Sequence, residues 1–212
     1  MSTICAHYTG QWRKDRAMGG VSPTPTGPRI ALGIDPGTAI VGYAVVAARG
    51  DNLSMIACDV ITTPAHMPLA ERFQHIYRSL IEIIGIYHPN EAAMEELFFA
   101  KNARTAMTVG QARGVAMLAL ANGGLPISEY TPKQVKQAVT GYGGAAKDQV
   151  GEMVRILLKL SAIPRPDDAA DAAAVAICHL HTASVLTDNY LKLRYQGMTV
   201  TVVAGYTTTV QL

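Results

Sequence analysis

Four carboxylates stand where a charge is costly. In "RIALGIDPGTAIVGYAVV", Asp35 ends an apolar run and is followed at once by a Pro-Gly turn. An unpaired carboxylate beside a buried strand costs several kcal/mol, so Asp35 requires a partner. Glu95 occupies a second short apolar stretch, "EAAMEEL", and Asp168 and Asp171 stand three apart in "PDDAADAAAVAI", at the start of a helical pattern. That spacing puts the last two on one face of a helix, and the alanines around them predict close packing on a sheet. A helix N-terminus favours acids by about 0.3–1 kcal/mol, which accounts for Asp167 and Asp168 but weakens for Asp171 in the next turn. For the pair taken alone, capping and metal binding are both open.

The combination narrows the chemistry. Acids drawn from two neighbouring strands and one helix, with no cation in their own motifs, repel one another unless protonated or metal-bound. Oxygen donors without nitrogen or sulfur select hard cations such as Mg²⁺ or Mn²⁺. A divalent metal is therefore the expected partner of Asp35. Glu96 competes with Glu95 for the position, but neighbours on a strand point to opposite faces, so one of the two faces the site.

These side chains need a scaffold. After the first apolar run, "VGYAVVAA" and "LSMIACDVIT" are strand-like and separated by "RGDN", which predicts a three-stranded antiparallel meander over residues 29–62. Leu69, Phe73, Ile76, Leu80 and Ile83 recur at helical spacing after Pro68. A short strand containing Glu95 follows, then an Ala-rich helix from near Lys101, a short strand "LPISEY", and a helix opened by Thr131-Pro132. "AKDQVGEMVRILLKL" predicts a further helix, and a last one runs from Asp167 to about Leu186. This order is that of an α/β sheet with helices on its faces. Residues 1–28 end in "GGVSPTPTGP" and predict a flexible leader, 29–186 form the domain, and 187–212 are a tail of β-branched residues that either adds an edge strand or stays disordered and prone to associate.

Composition bounds the class. A chain of 212 residues, 49% hydrophobic, is large enough for one real core and is not intrinsically disordered. Three cysteines without CxxC spacing suggest neither a disulfide framework nor a zinc ribbon, and a reducing cytoplasm fits best. No signal-peptide core and no run of about 20 apolar residues is present, so no membrane association is expected. The net charge of +2 hides an asymmetry: residues 29–96 carry four Lys/Arg against eight Asp/Glu, whereas 97–165 carry nine against three. The basic half is either a solvated surface or a seat for a polyanion beside the carboxylates. His179 and His181, in "CHLH", are two apart and face apart on a helix, so packing or exposure explains them better than a shared zinc ion.

Across about residues 29–186 the sequence closely resembles the RuvC family of Holliday-junction resolvases, which are crossover junction endodeoxyribonucleases. The matching stretches are "LGIDPGTAIVGYAVV", "MEELFFAKNARTAMTVGQARGVAMLA", "YTPKQVKQAVTGYGGAAKDQV" and "DDAADAAAVAICHLH". The resemblance implies a ribonuclease H-like α/β fold: a mixed five-stranded sheet, three antiparallel strands then two parallel, flanked by helices. It puts the catalytic, metal-binding acids on Asp35, Glu95, Asp168 and Asp171. They would hold two Mg²⁺ ions, with Mn²⁺ as a substitute, about 3.5 to 4 Å apart for phosphodiester hydrolysis leaving 5′-phosphate and 3′-hydroxyl ends. Phe98 matches an aromatic that contacts bases at the opened junction, where stacking is worth about 1–3 kcal/mol per base, and Phe99 fits packing. Lys136 and Lys147 match lysines near the scissile strand, and Lys101, Arg104 and Arg113 are further DNA-binding candidates. Four-way junction DNA, a homodimer and the RuvA and RuvB branch-migration proteins are the implied partners.

Two other readings share features with this one. "GIDPGTAIVGYAVV" also resembles the phosphate hairpin of sugar kinases and actin-like ATPases, where Gly37 and Thr38 would meet nucleotide phosphates, although a second hairpin and second domain are missing. A junction-binding module without catalysis would keep the acids as caps alone. Metal-dependent nicking of a four-way junction, run beside ATP hydrolysis, separates the three.

Overall fold

The computed structural model describes residues 27–96, 103–195, 199–201 and 209–211. Strands β1 (Arg29–Asp35), β2 (Ile40–Arg49) and β3 (Asn52–Thr62) form the expected antiparallel meander. Helix α1 (Leu69–Tyr87) leads to β4 (Glu91–Glu95), α2 (Ala103–Asn122) and β5 (Ile127–Tyr130). Both later strands add in parallel, giving the order β3-β2-β1-β4-β5. Helices α3 (Pro132–Thr140), α4 (Lys147–Leu157) and α5 (Asp167–Tyr195) follow, and a separate hairpin of β6 (Thr199–Thr201) and β7 (Thr209–Gln211) comes last.

Alternation along the strands divides the core into two layers. Leu32, Ile34, Val41, Val45 and Met94 bury against Ile76, Leu80 and Leu120 of α1 and α2. On the other face Ala31, Ala44, Val46 and Ala93 meet α3, α4 and α5, with Ala172, Ala173 and Ala176 at the contact. These small side chains let α5 lie nearly on the backbone. A Cβ added at Gly33 would fall 2.2 Å from the Ala172 carbonyl oxygen, and one at Gly42 would fall 2.0 Å from that of Asp168. Two glycines on adjacent strands thus fix the height of the helix above the sheet.

Thr131 caps α3 as expected, and Gln134 completes a capping box by accepting from the Thr131 backbone N–H at 2.8 Å. Helix α5 departs from expectation. It runs to Tyr195 instead of ending near Leu186, because neither Pro nor Gly interrupts it before Gly197. The expected boundary after residue 186 falls inside a continuous helix. The described strands of the tail, β6 and β7, pair antiparallel with each other in a separate two-stranded sheet.

Candidate active site

The register of the parallel strands brings the first two acids together. Ile34 pairs with Met94, and both are fully buried toward α1 and α2. The next residue on each strand, Asp35 and Glu95, therefore faces α5. Asp168 and Asp171 come down from the first two turns of α5, at the height set by Gly33 and Gly42. All four expected acids thus gather at one end of one sheet face. Glu96 is exposed beyond the strand and donates its N–H to the Tyr130 carbonyl at 2.8 Å.

The electrostatics of this cluster are unfavourable as it stands. Burial, followed by the charges of Asp171, Glu95 and Asp168, pushes the Asp35 carboxyl up to about 7, with Lys147 opposing. Burial and Asp171 also raise Glu95, against the pull of Lys136 and Lys147. Lys147, at the start of α4, places Nζ 2.9 Å from Asp171 Oδ2 and 3.6 Å from Asp167 Oδ2. Two lysines, Lys136 and Lys147, do not neutralise four carboxylates. Among the described residues no three His, Cys, Asp or Glu side chains converge closely enough, as placed, to hold one metal ion. The donors form an open, all-oxygen group short of positive charge, which suits a hard divalent cation that keeps water and substrate oxygens among its ligands. A cleft of about 210 Å³ adjoins the cluster, lined by Glu95, Asp171, Lys136, Lys147, Val135 and Val150.

The other candidates are placed unevenly. Lys136 and Lys147 stand beside the acids. Phe98, Phe99 and Lys101 lie outside the described residues, as does the side chain of Arg104. Arg113, a further DNA-binding candidate, is engaged within the fold. Its guanidinium forms an ion pair with Glu129 and donates from Nε to the Glu95 carbonyl oxygen at 3.3 Å. The histidines do face apart: Tyr130 and Glu91 flank buried His179, and His181 Nδ1 meets the Ala138 carbonyl at 3.2 Å. Thr38, a phosphate ligand in the kinase-like reading, donates its hydroxyl to the Thr108 carbonyl at 3.1 Å.

The sequence pattern singles out the four acids that gather here and does not show what sets their positions. Gly33 and Gly42 carried a signal, since glycines interrupt two apolar strands on the face that bears Asp35. The role of Arg113 carried none, because its partners come from other strands.

Residues 31–179 match the family model described as crossover junction endodeoxyribonuclease RuvC. The chain belongs to the RuvC family. It is 58% identical over 156 residues to the crossover junction endodeoxyribonuclease RuvC of Chloroflexus aggregans, a match spanning 74% of this chain and 95% of the relative. The RuvC structure from Thermus thermophilus superposes with a TM-score of 0.70 at 37% identity, covering 74% of this chain and 97% of that one. The same protein in complex with a Holliday junction substrate gives a TM-score of 0.72 at 38% identity, over 75% and 97%. The fold is the ribonuclease H-like fold of those resolvases. No described helix is long and apolar enough to cross a membrane.

Proposed function

We propose that this chain is a structure-selective endonuclease that resolves four-way DNA junctions in recombination and repair by symmetric paired incisions. The observation that carries the reading is the convergence of Asp35, Glu95, Asp168 and Asp171 with less positive charge than negative beside them, so that burial and then Asp171, Glu95 and Asp168 push the Asp35 carboxyl up to about 7. Asp35, Glu95, Asp168 and Asp171 would hold the divalent ions. When bound, Mg²⁺, or Mn²⁺ in its place, would activate a water and stabilise the departing oxygen, leaving 5′-phosphate and 3′-hydroxyl ends. Lys136 and Lys147 hold the phosphate backbone over the cluster, as their place in the adjoining cleft supports. Phe98 stacks on bases at the open centre of the junction, and Lys101 and Arg104 contact flanking phosphates.

One chain offers one carboxylate cluster among its described residues, whereas a junction has two equivalent strands to cut. An isologous homodimer places two clusters about an axis that can coincide with that of the junction. Work in the cytoplasm with RuvA and RuvB completes the reading.

The test is nicking of a four-way junction in Mg²⁺, Mn²⁺ or Ca²⁺, beside ATP hydrolysis. Mg²⁺ and Mn²⁺ should give paired nicks, and Ca²⁺ should support binding without cutting because its looser coordination fits in-line attack poorly. ATP turnover without nicking, or junction binding without nicking in any metal, would overturn the proposal.

A further inference from the structure

We propose that Arg113 is a positioning residue for the carboxylate cluster, acting through the backbone of Glu95 and not through DNA. The inference rests on the junction-nuclease reading for its consequence in cutting. Its structural basis is independent of that reading.

Arg113 lies on α2, across the sheet from α5, and its side chain is 15% exposed. Each part of the guanidinium is engaged. Nε donates to the Glu95 carbonyl at 3.3 Å, Nη1 to Met117 Sδ at 3.4 Å, and Nη2 to the Glu129 carboxylate. Glu129 pairs in register with Met94, so it projects to the same α2 side of the sheet. The guanidinium therefore joins α2, the last residue of β4 and the neighbouring strand β5.

The peptide unit held in this way matters. Its oxygen is the Glu95 carbonyl, bonded by Arg113. Its N–H belongs to Glu96 and bonds the Tyr130 carbonyl at 2.8 Å. Both polar atoms of the peptide that leaves Glu95 are thus pinned, one by a side chain and one by the adjacent strand. That fixes the plane of the peptide at the end of β4, and with it the place of the Glu95 Cα from which the carboxylate projects. A planar fork can bridge a carbonyl and a carboxylate at once, whereas a lysine ammonium on a flexible stem holds one of them. Glu129 keeps the fork turned inward.

The experiment compares wild type, Arg113→Lys and Glu129→Gln by three readouts: Mn²⁺ binding by calorimetry without DNA, junction affinity across a salt series in Ca²⁺, and cutting across a Mn²⁺ series. A lysine retains the charge a phosphate contact uses but not the double bridge. Arg113→Lys should weaken Mn²⁺ binding and cutting by about 10- to 100-fold, the usual loss for a group that orients a ligand. Its junction affinity and salt slope should stay unchanged. Glu129→Gln should move in the same direction by less, and serves if Arg113→Lys fails to fold. Wild-type Mn²⁺ binding in both variants overturns the proposal. So does a salt slope shallower by about one released counterion, the mark of a lost phosphate contact. Should the wild type fail to cut junctions in any metal, the nuclease reading falls, while the Mn²⁺ titration still decides the role of Arg113.

Discussion

The α5 face of the sheet carries charge at both ends, and the two ends are built on opposite principles. At one end of β1 and β4 stand Arg29 and Glu91, and at the other Asp35 and Glu95. Helix α5 adds His179 to the first pair and Asp168 with Asp171 to the second. Between them lies a neutral layer of Ala31, Ala93, Ala172 and Ala176. At the first end the charges cancel. Arg29 Nε donates to Glu91 Oε1 at 2.8 Å and Nη1 to the Leu180 carbonyl at 3.2 Å, and His179 Nδ1 lies 2.8 Å from the Tyr130 hydroxyl. Arg29 Nη2 and His179 Nε2 also lie 2.8 and 2.9 Å from Glu91 oxygens. Burial pushes the Glu91 carboxyl up, and the His179 and Arg29 contacts outweigh it and bring it below its ordinary value. At the second end burial and like charges act together. The first end closes the fold, and the second is left requiring a partner from outside.

Removing one charge from each end should have opposite consequences. Asp35→Asn should lower junction cutting by at least about 100-fold, more than is usual for residues that merely orient a ligand. It should also make the metal-free protein more stable. Asp35 is raised from 3.8 to about 7, so its ionisation in the fold costs up to about 4 kcal/mol at neutral pH, at about 1.4 kcal/mol per unit. Urea unfolding without metal checks the gain, and a variant less stable than wild type would mean that the carboxylate serves the fold.

Glu91→Gln is the converse. It leaves the half-buried Arg29 guanidinium without its counterion and removes a carboxylate oxygen from beside buried His179, and breaking a buried ion pair by removing one partner costs about 3 kcal/mol. Cutting per folded molecule should be retained, because the neutral layer separates Glu91 from the acids. Equal losses of stability and of cutting would show that the two ends are coupled through α5.

The two ends also differ in how far the sequence betrays them. Asp35, Glu95 and Asp171 were legible because each breaks an apolar pattern, and a charge without a local partner announces a need for one. The compensated end was not. Its members contact one another over 49 to 151 positions of sequence, so no local pattern relates them. The spacing in "CHLH" predicts packing or exposure for His179, and its polar partners are distant in the chain. The fold was legible where periodicity is strong, in the meander and in α1. The far end of α5 was not, since Thr187, Asp188 and Asn189 suggest a loop by composition while nothing in them breaks a helix. Arg113 shows a third limit: its charge was read correctly, and its employment depends on neighbours that the fold brings from β4 and β5.

The effect smallest from one pH step to the next separates the two ends within one molecule. Asp35 is raised in the fold, so between about 3.8 and 7 the folded chain binds more protons than the unfolded one. Metal-free stability should then fall as pH rises through that window, by up to about 1.4 kcal/mol per pH unit, and level off above about 7. The raised carboxyl of Glu95 adds to the same trend. Glu91 is lowered in the fold, so its contribution is present above its unfolded value of 4.5 and is lost as pH falls through its folded value. A series of urea titrations from about pH 2.8 to about pH 8, about one pH unit beyond the Asp35 window on each side, should therefore show stability rising from neutral pH into mild acid and declining at lower pH. Asp35→Asn should flatten the first limb, and Glu91→Gln should flatten the second. Saturating Mn²⁺ should also flatten the first limb, because the cation supplies the positive charge that protonation otherwise replaces. If Mn²⁺ leaves the limb between pH 5 and 7 unchanged, the raised carboxylates and the metal site are separate features, and the contrast between a closed end and an open one no longer explains the site.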